Sequence, residues 1–192
     1  MLARNILVFA TVAAVAACGP KAQQAATESA SPTCEAVAST NWAVSEKTKL
    51  TISASYEGAD CQSAEAALTV TDASGKQLYT FSLPVEVARN TVFAEADSAD
   101  KMHAALADWI DPAGNTTMQT TSTLPEWKPG VEEPGNDEFP FMPEVSREEY
   151  AKLRSANRPL YCHVQGGESM ACLAFDEAAG AMVKVGLQRF PG

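Results

Sequence analysis

Two cysteines, a histidine, an acid and a serine fall within eleven residues, CHVQGGESMAC, running from Cys162 to Cys172. Those residue types allow a metal centre, a nucleophile or a disulfide. A zinc centre needs more ligands than the chain offers, since it has only His103 and His163 and no Cys-x-x-Cys pair. No metal or cofactor is therefore expected. The nucleophile option rests on Gly167, Glu168, Ser169, Met170 and Ala171, one residue short of the G-x-S-x-G elbow. That elbow exposes its serine on a strained strand-to-helix turn. Here Leu160 to Gln165 and Met170 to Phe175 are short, apolar and strand-like around Gly166-Gly167, which predicts a β-hairpin with Cys162 and Cys172 across it. Neighbouring residues on a strand point to opposite faces, so His163 should diverge from Cys162. The chemistry this stretch supports is a staple.

Ser98-Ala99-Asp100-Lys101 fits the S-x-x-K of penicillin-recognising serine enzymes, but the S-D-N and K-T-G companions are absent. A helix start accounts for it: Asp97 or Ser98 caps a helix through Ile110, its side-chain oxygen accepting unpaired backbone N–H groups. Met102, Ala105, Leu106, Trp109 and Ile110 then share one face, and Asp111-Pro112 ends the helix. His103 lies beside that stripe, at its solvated boundary. No catalytic residue is assigned.

The first 18 residues, MLARNILVFATVAAVAAC, place one cation, Arg4, before an uncharged apolar run from Ile6 to Val15. The run is too short for the ~20 residues a bilayer needs, so it reads as a signal peptide. Its end, Val15-Ala16-Ala17-Cys18, resembles the lipobox of bacterial lipoproteins, and the resemblance covers residues 1–18 alone. It implies removal of residues 1–17 and lipid on Cys18. Gly19 rather than Asp follows the cysteine, which in that family implies the outer membrane. With Cys18 lipidated, Cys34, Cys61, Cys162 and Cys172 remain, an even number in an oxidising compartment. Three connectivities exist; proximity favours Cys34 with Cys61 and Cys162 with Cys172, each contributing about 3 to 4 kcal/mol by chain entropy.

The chain carries 14 Lys plus Arg against 24 Asp plus Glu, a net charge of -10. Such a surface repels nucleic acid and anionic headgroups and attracts a cationic protein. Membrane contact must then come from the lipid on Cys18, and a cationic periplasmic protein is the partner the charge suits.

Residues 18–33 are rich in Ala, Gln, Ser and Thr, with no large apolar side chain. They read as a tether with an r.m.s. span of about 20 Å. Residues 34–192 read as a single globular domain. Leu50, Ile52, Ala54 and Tyr56 alternate with Thr51, Ser53 and Ser55, the period of a half-buried strand. Leu68 and Val70, a turn at Asp72 to Gly75, and Tyr79, Phe81 and Leu83 make a further hairpin. Residues 124–145 hold five prolines, six acids and the aromatics Trp127, Phe139 and Phe141, excluding a regular helix or central strand. This strap either plugs the domain's own core or forms a recognition arm, which makes those three aromatics the candidate partner-binding residues. Ser146-Arg147-Glu148-Glu149 is a capping box, with Val145 stapling to Tyr150, for a helix to about Ser155 that buries Leu153. A meander follows over Leu160 to Gln165, Ser169 to Phe175 and Ala181 to Phe190. The fold class is α+β: antiparallel hairpins and a meander, two short helices, two disulfides.

For function, these features predict a lipid-anchored, non-enzymatic binding or structural protein facing the periplasm. One alternative is an inhibitor of a cationic hydrolase such as lysozyme, which the charge fits without a supporting motif. The other is a cell-wall glycan hydrolase, whose carboxylate pair must stand about 5 to 10 Å apart across a cleft with one acid in an apolar setting. With 24 acids, no pair can be selected from the sequence.

Overall fold

The computed structural model describes residues 34–61, 63, 65–83, 87, 93–114, 119–136, 139–166 and 168–190. Residues 1–33, on which the signal-peptide, lipidated-Cys18 and tether readings fall, lie outside these residues. Four strands come first: β1 (Cys34–Ala43), β2 (Lys49–Gly58), β3 (Glu65–Thr71) and β4 (Gln77–Leu83). They pair antiparallel in sequence order as one sheet. The period-two pattern is what builds it: Leu50, Ile52, Ala54 and Tyr56 of β2 turn inward beside Ala66, Leu68 and Val70 of β3, while the polar residues between them face out. The β3–β4 turn is set by Asp72, whose Oδ1 accepts from the backbone N–H of Ser74 (2.8 Å) and Lys76 (3.0 Å), and by Gly75 at φ +83°.

Helix α1 (Ala99–Ile110) packs against β1 and β2. Ser98 caps it, its hydroxyl accepting from the Lys101 N–H, which assigns the S-x-x-K serine to a helix start. Met102, Leu106, Trp109 and Ile110 are buried against the first sheet, where Ala36 and Ala38 leave room for the helix to come close.

The second sheet has the order β5-β8-β7-β6, all antiparallel, from β5 (Phe141–Pro143), β6 (Leu160–Gly166), β7 (Ser169–Asp176) and β8 (Ala181–Arg189). One face sends Tyr161, Leu173 and Phe175 into the core shared with the first sheet and α1. The other sends Leu160, Cys162, Met170, Cys172, Ala174 and Val185 into a second core. Leu124, Phe141, Tyr150 and Leu153 close that second core, supplied by the strap and helix α2 (Arg147–Ala156). Ser146 caps α2 by accepting from the Glu149 N–H at 3.2 Å, and Asn157 ends it in the left-handed conformation.

Both disulfides, Cys34–Cys61 and Cys162–Cys172, are formed. Cys162 and Cys172 are direct cross-strand partners of β6 and β7, as the hairpin reading requires. The architecture adds three things to the sequence expectation: strand β1, a division into two sheets, and the short edge strand β5 inside the Pro-rich strap. Gly186 permits β5 to close on β8, since a Cβ there would stand 2.6 Å from Phe141 Cε1. Among the described residues, no helix is long and apolar enough to cross a membrane.

Candidate functional site

The residues that invited a chemical reading are largely fastened into the fold. Ser169 Oγ donates to the Gly166 carbonyl (2.6 Å) and accepts from Gln165 Nε2 (3.2 Å), which ties the hairpin rather than presenting a nucleophile. His163 is fully buried on the face opposite Cys162. Its Nδ1–H donates to the Val164 carbonyl (3.2 Å), leaving Nε2 to accept from the Tyr79 hydroxyl of the first sheet (3.0 Å). The same Val164 carbonyl accepts from Trp109 Nε1 of α1 at 2.8 Å. One polar node thus joins both sheets and the helix, walled by the rings of Tyr79, Phe81, Trp109 and Tyr161.

Burial holds the His163 imidazole down at about 4, with nearby Lys184 acting in the same direction and the Val164 carbonyl opposing. Burial likewise pushes the Tyr79 phenol up to about 12, helped by Glu144, which itself pairs with Lys184 at 2.7 Å. Tyr161 is raised further by burial, then by Tyr79 and Asp111, and among the described residues its hydroxyl has no hydrogen-bond partner. His103 is exposed on α1, and Lys101 pairs at the surface with Asp97.

The three strap aromatics do not share one surface. Phe141 is completely buried against Tyr150, with ring centroids 5.8 Å apart. Trp127 is half-buried, edge-on to Tyr150 at 5.6 Å, with the Arg147 guanidinium 5.1 Å over its ring. Arg147 also donates to the carbonyls of Trp127 and Lys128, Tyr150 to Pro125 and Arg154 to Leu124, so α2 holds the strap by its backbone. Phe139 is 45% exposed and meets Phe190, 38% exposed, at 6.2 Å.

Among the described residues an open trough lies elsewhere, on the outer face of the first sheet. Glu35 of β1 is the direct partner of Glu57 of β2, and Glu57 is the direct partner of Glu65 of β3. Three exposed carboxylates therefore stand in a row across adjacent strands, in a trough of about 590 Å³ also lined by Ser55, Ala67 and Ser82. Like charges placed directly opposite are destabilising by a fraction of a kcal/mol, up to about 1 per pair. Val37, 64% exposed, continues the same face two residues along β1 from Glu35. Among the described residues, no group of histidine, cysteine and acidic side chains is arranged to hold a metal ion. Sequence reasoning missed the row because its members lie on different strands and meet only through register; no local motif marks them.

Comparison with protein-family models, with curated proteins and with solved structures returns no match in any of the three.

Proposed function

We propose that this chain is a lipid-anchored protein of the bacterial cell envelope, held at the outer membrane by lipid on Cys18, whose periplasmic domain binds a cationic partner without catalysing a reaction. The observation that carries the binding half is the glutamate row of Glu35, Glu57 and Glu65 in an open trough. A like-charged row costs stability in the free protein and gains from a cation laid over it. The anchoring half rests on the lipobox-like Val15-Ala16-Ala17-Cys18 and the polar segment after it. The exposed setting of the three carboxylates favours binding over glycan hydrolysis, which uses a carboxyl group shielded by apolar walls. A cationic hydrolase is one partner this charge would suit.

The test is membrane fractionation of wild type and Cys18→Ser, with intact mass on the mature N-terminus. Lipidated wild type in the membrane and a released, folded variant are expected; several acyl chains give stable attachment where one gives marginal binding. A mature chain beginning elsewhere, or an unmodified Cys18 thiol, overturns the anchor.

A further inference from the structure

Resting on that reading of the chain as a binding protein, we propose that the outer edge of β1 takes up an extended cationic segment of the partner as a fifth strand of the first sheet, with a lysine or arginine placed opposite Glu35.

Among the described residues the two sheets present four edges, and three are guarded in the ways proteins normally guard them. An edge strand presents a row of unpaired N–H and C=O groups, and short length, proline, bulges and charge are the common deterrents. Strand β5 has three residues and ends on Pro143. Strand β6 follows Pro159 and breaks register between Val164 and Gly166. Strand β4 has seven residues, and its pairing with β3 shifts register at Val70/Thr71. Strand β1 has none of these except one charge, the acidic Glu35 near its start, which deters a like-charged strand and suits a cationic one. It runs ten residues in unbroken register with β2, contains no proline, lysine or arginine, and among the described residues no backbone group pairs with its outer edge. Ten residues span about 33 Å, enough for a full ladder with an incoming strand.

The side chains along this edge specify what should add to it. The cross-strand row Glu65–Glu57–Glu35 ends at β1, so the next position in the row belongs to the incoming strand. A fourth carboxylate there would extend the repulsion; a cation relieves it. Two residues further on the same face, exposed Val37 offers an apolar neighbour, followed by Ser39 and Asn41. The complementary segment therefore carries a cation and, two residues away, an aliphatic side chain. Main-chain bonds would supply affinity and these two positions specificity.

The probe is a fluorescent ten-residue peptide alternating lysine with valine and threonine, titrated against the full chain in detergent. Two companion peptides carry glutamate in place of lysine, or N-methyl groups on alternate amides. Saturable binding of the lysine peptide is expected, with slowed hydrogen exchange confined to residues 34–43. N-methylation should remove binding, because it deletes the ladder donors while keeping the charge. Glu35→Lys and Val37→Lys, both at exposed positions, should each weaken binding about tenfold with unchanged circular dichroism. Equal affinity for the N-methylated peptide, or protection mapping away from β1, overturns strand addition. A chain that dimerises through β1 on its own, seen by sedimentation, also overturns it, since the occupant would be a second copy. Those failures leave the anchored binding protein standing, whereas loss of lipid on Cys18 strikes that reading and not the edge.

Discussion

Along β2, buried residues alternate with exposed or half-buried ones over nine positions, Lys49 to Glu57, whereas in β7 every residue from Ser169 to Phe175 is buried. Both are interior strands of four-stranded antiparallel sheets, so the difference lies in what covers them. The first sheet is covered on its inner side by α1 and leaves its outer face to solvent. The second is covered on both faces: by the shared core on one, and by α2 with the acidic strap on the other. An antiparallel sheet tolerates one wet face, but a strand apolar on both faces needs two covers. The strap is thus a structural cover for the second sheet, while the first sheet keeps a free face for its glutamate row.

The largest test of this contrast concerns Phe141 and Phe139, two residues apart in the strap. Phe141→Ala should cost about 3 to 5 kcal/mol, since it empties a fully buried site between β8 and Tyr150. Phe139→Ala, at an exposed site, should change stability by less than about 0.5 kcal/mol. Urea unfolding of both variants measures this, and equal losses would break the view of the strap as a cover anchored at Phe141.

A smaller effect probes the joint where the two sheets meet. His163 has a folded-state value of about 4 against 6.5 for a free imidazole, so between those values the unfolded chain binds a proton that the native state excludes. Stability therefore falls as pH drops from about 6.5 to 4, by about 3 kcal/mol in total, and levels off below. Asp97, which is exposed, and Asp72 and Asp176, which are partly so, are each held low chiefly by a side-chain hydrogen bond and add losses of the same direction at still lower pH. Comparing wild type with His163→Asn at pH 7 and pH 4.5 isolates the histidine; an identical pH slope in both would show that the node is not closed to protons.

The smallest effect is expected beside it. Tyr161→Phe removes a buried hydroxyl that has no described partner, and should leave stability unchanged or raise it by up to about 1 kcal/mol. A loss above about 1 kcal/mol on thermal unfolding would reveal a bonded hydroxyl there, and with it a polar tie in the shared core.

Much of the scaffold was legible because its signals are local. The alternation of β2, the caps at Ser98 and Ser146, the stripe Met102–Leu106–Trp109–Ile110 and the hairpin between Cys162 and Cys172 each depend on residues a few positions apart. What escaped depends on tertiary context. Strand β1 was hidden because Ala36 and Ala38 face the core while the larger Val37 faces solvent, which reverses the usual polarity of the two faces. Strand β5 was hidden by Pro140 and Pro143, tolerable because β5 is an edge. Sequence separated His163 from Cys162 correctly but could not show that both faces of β6 are covered. The glutamate row was the least legible of all, because cross-strand neighbours are set by register and register is not written in composition.

Each disulfide closes within its own contiguous stretch, with Cys61 following Cys34 by 27 residues and Cys172 following Cys162 by 10. If Cys18 carries lipid as proposed, a chain emerging from its N-terminus presents Cys61 as the first available mate for Cys34, roughly 100 residues before Cys162 exists. The hairpin that aligns Cys162 with Cys172 then forms on a microsecond scale, far faster than thiol oxidation. Correct pairing becomes in this way a matter of chronology: the order in which the thiols appear favours the observed pairs over both the crossed and the nested alternative.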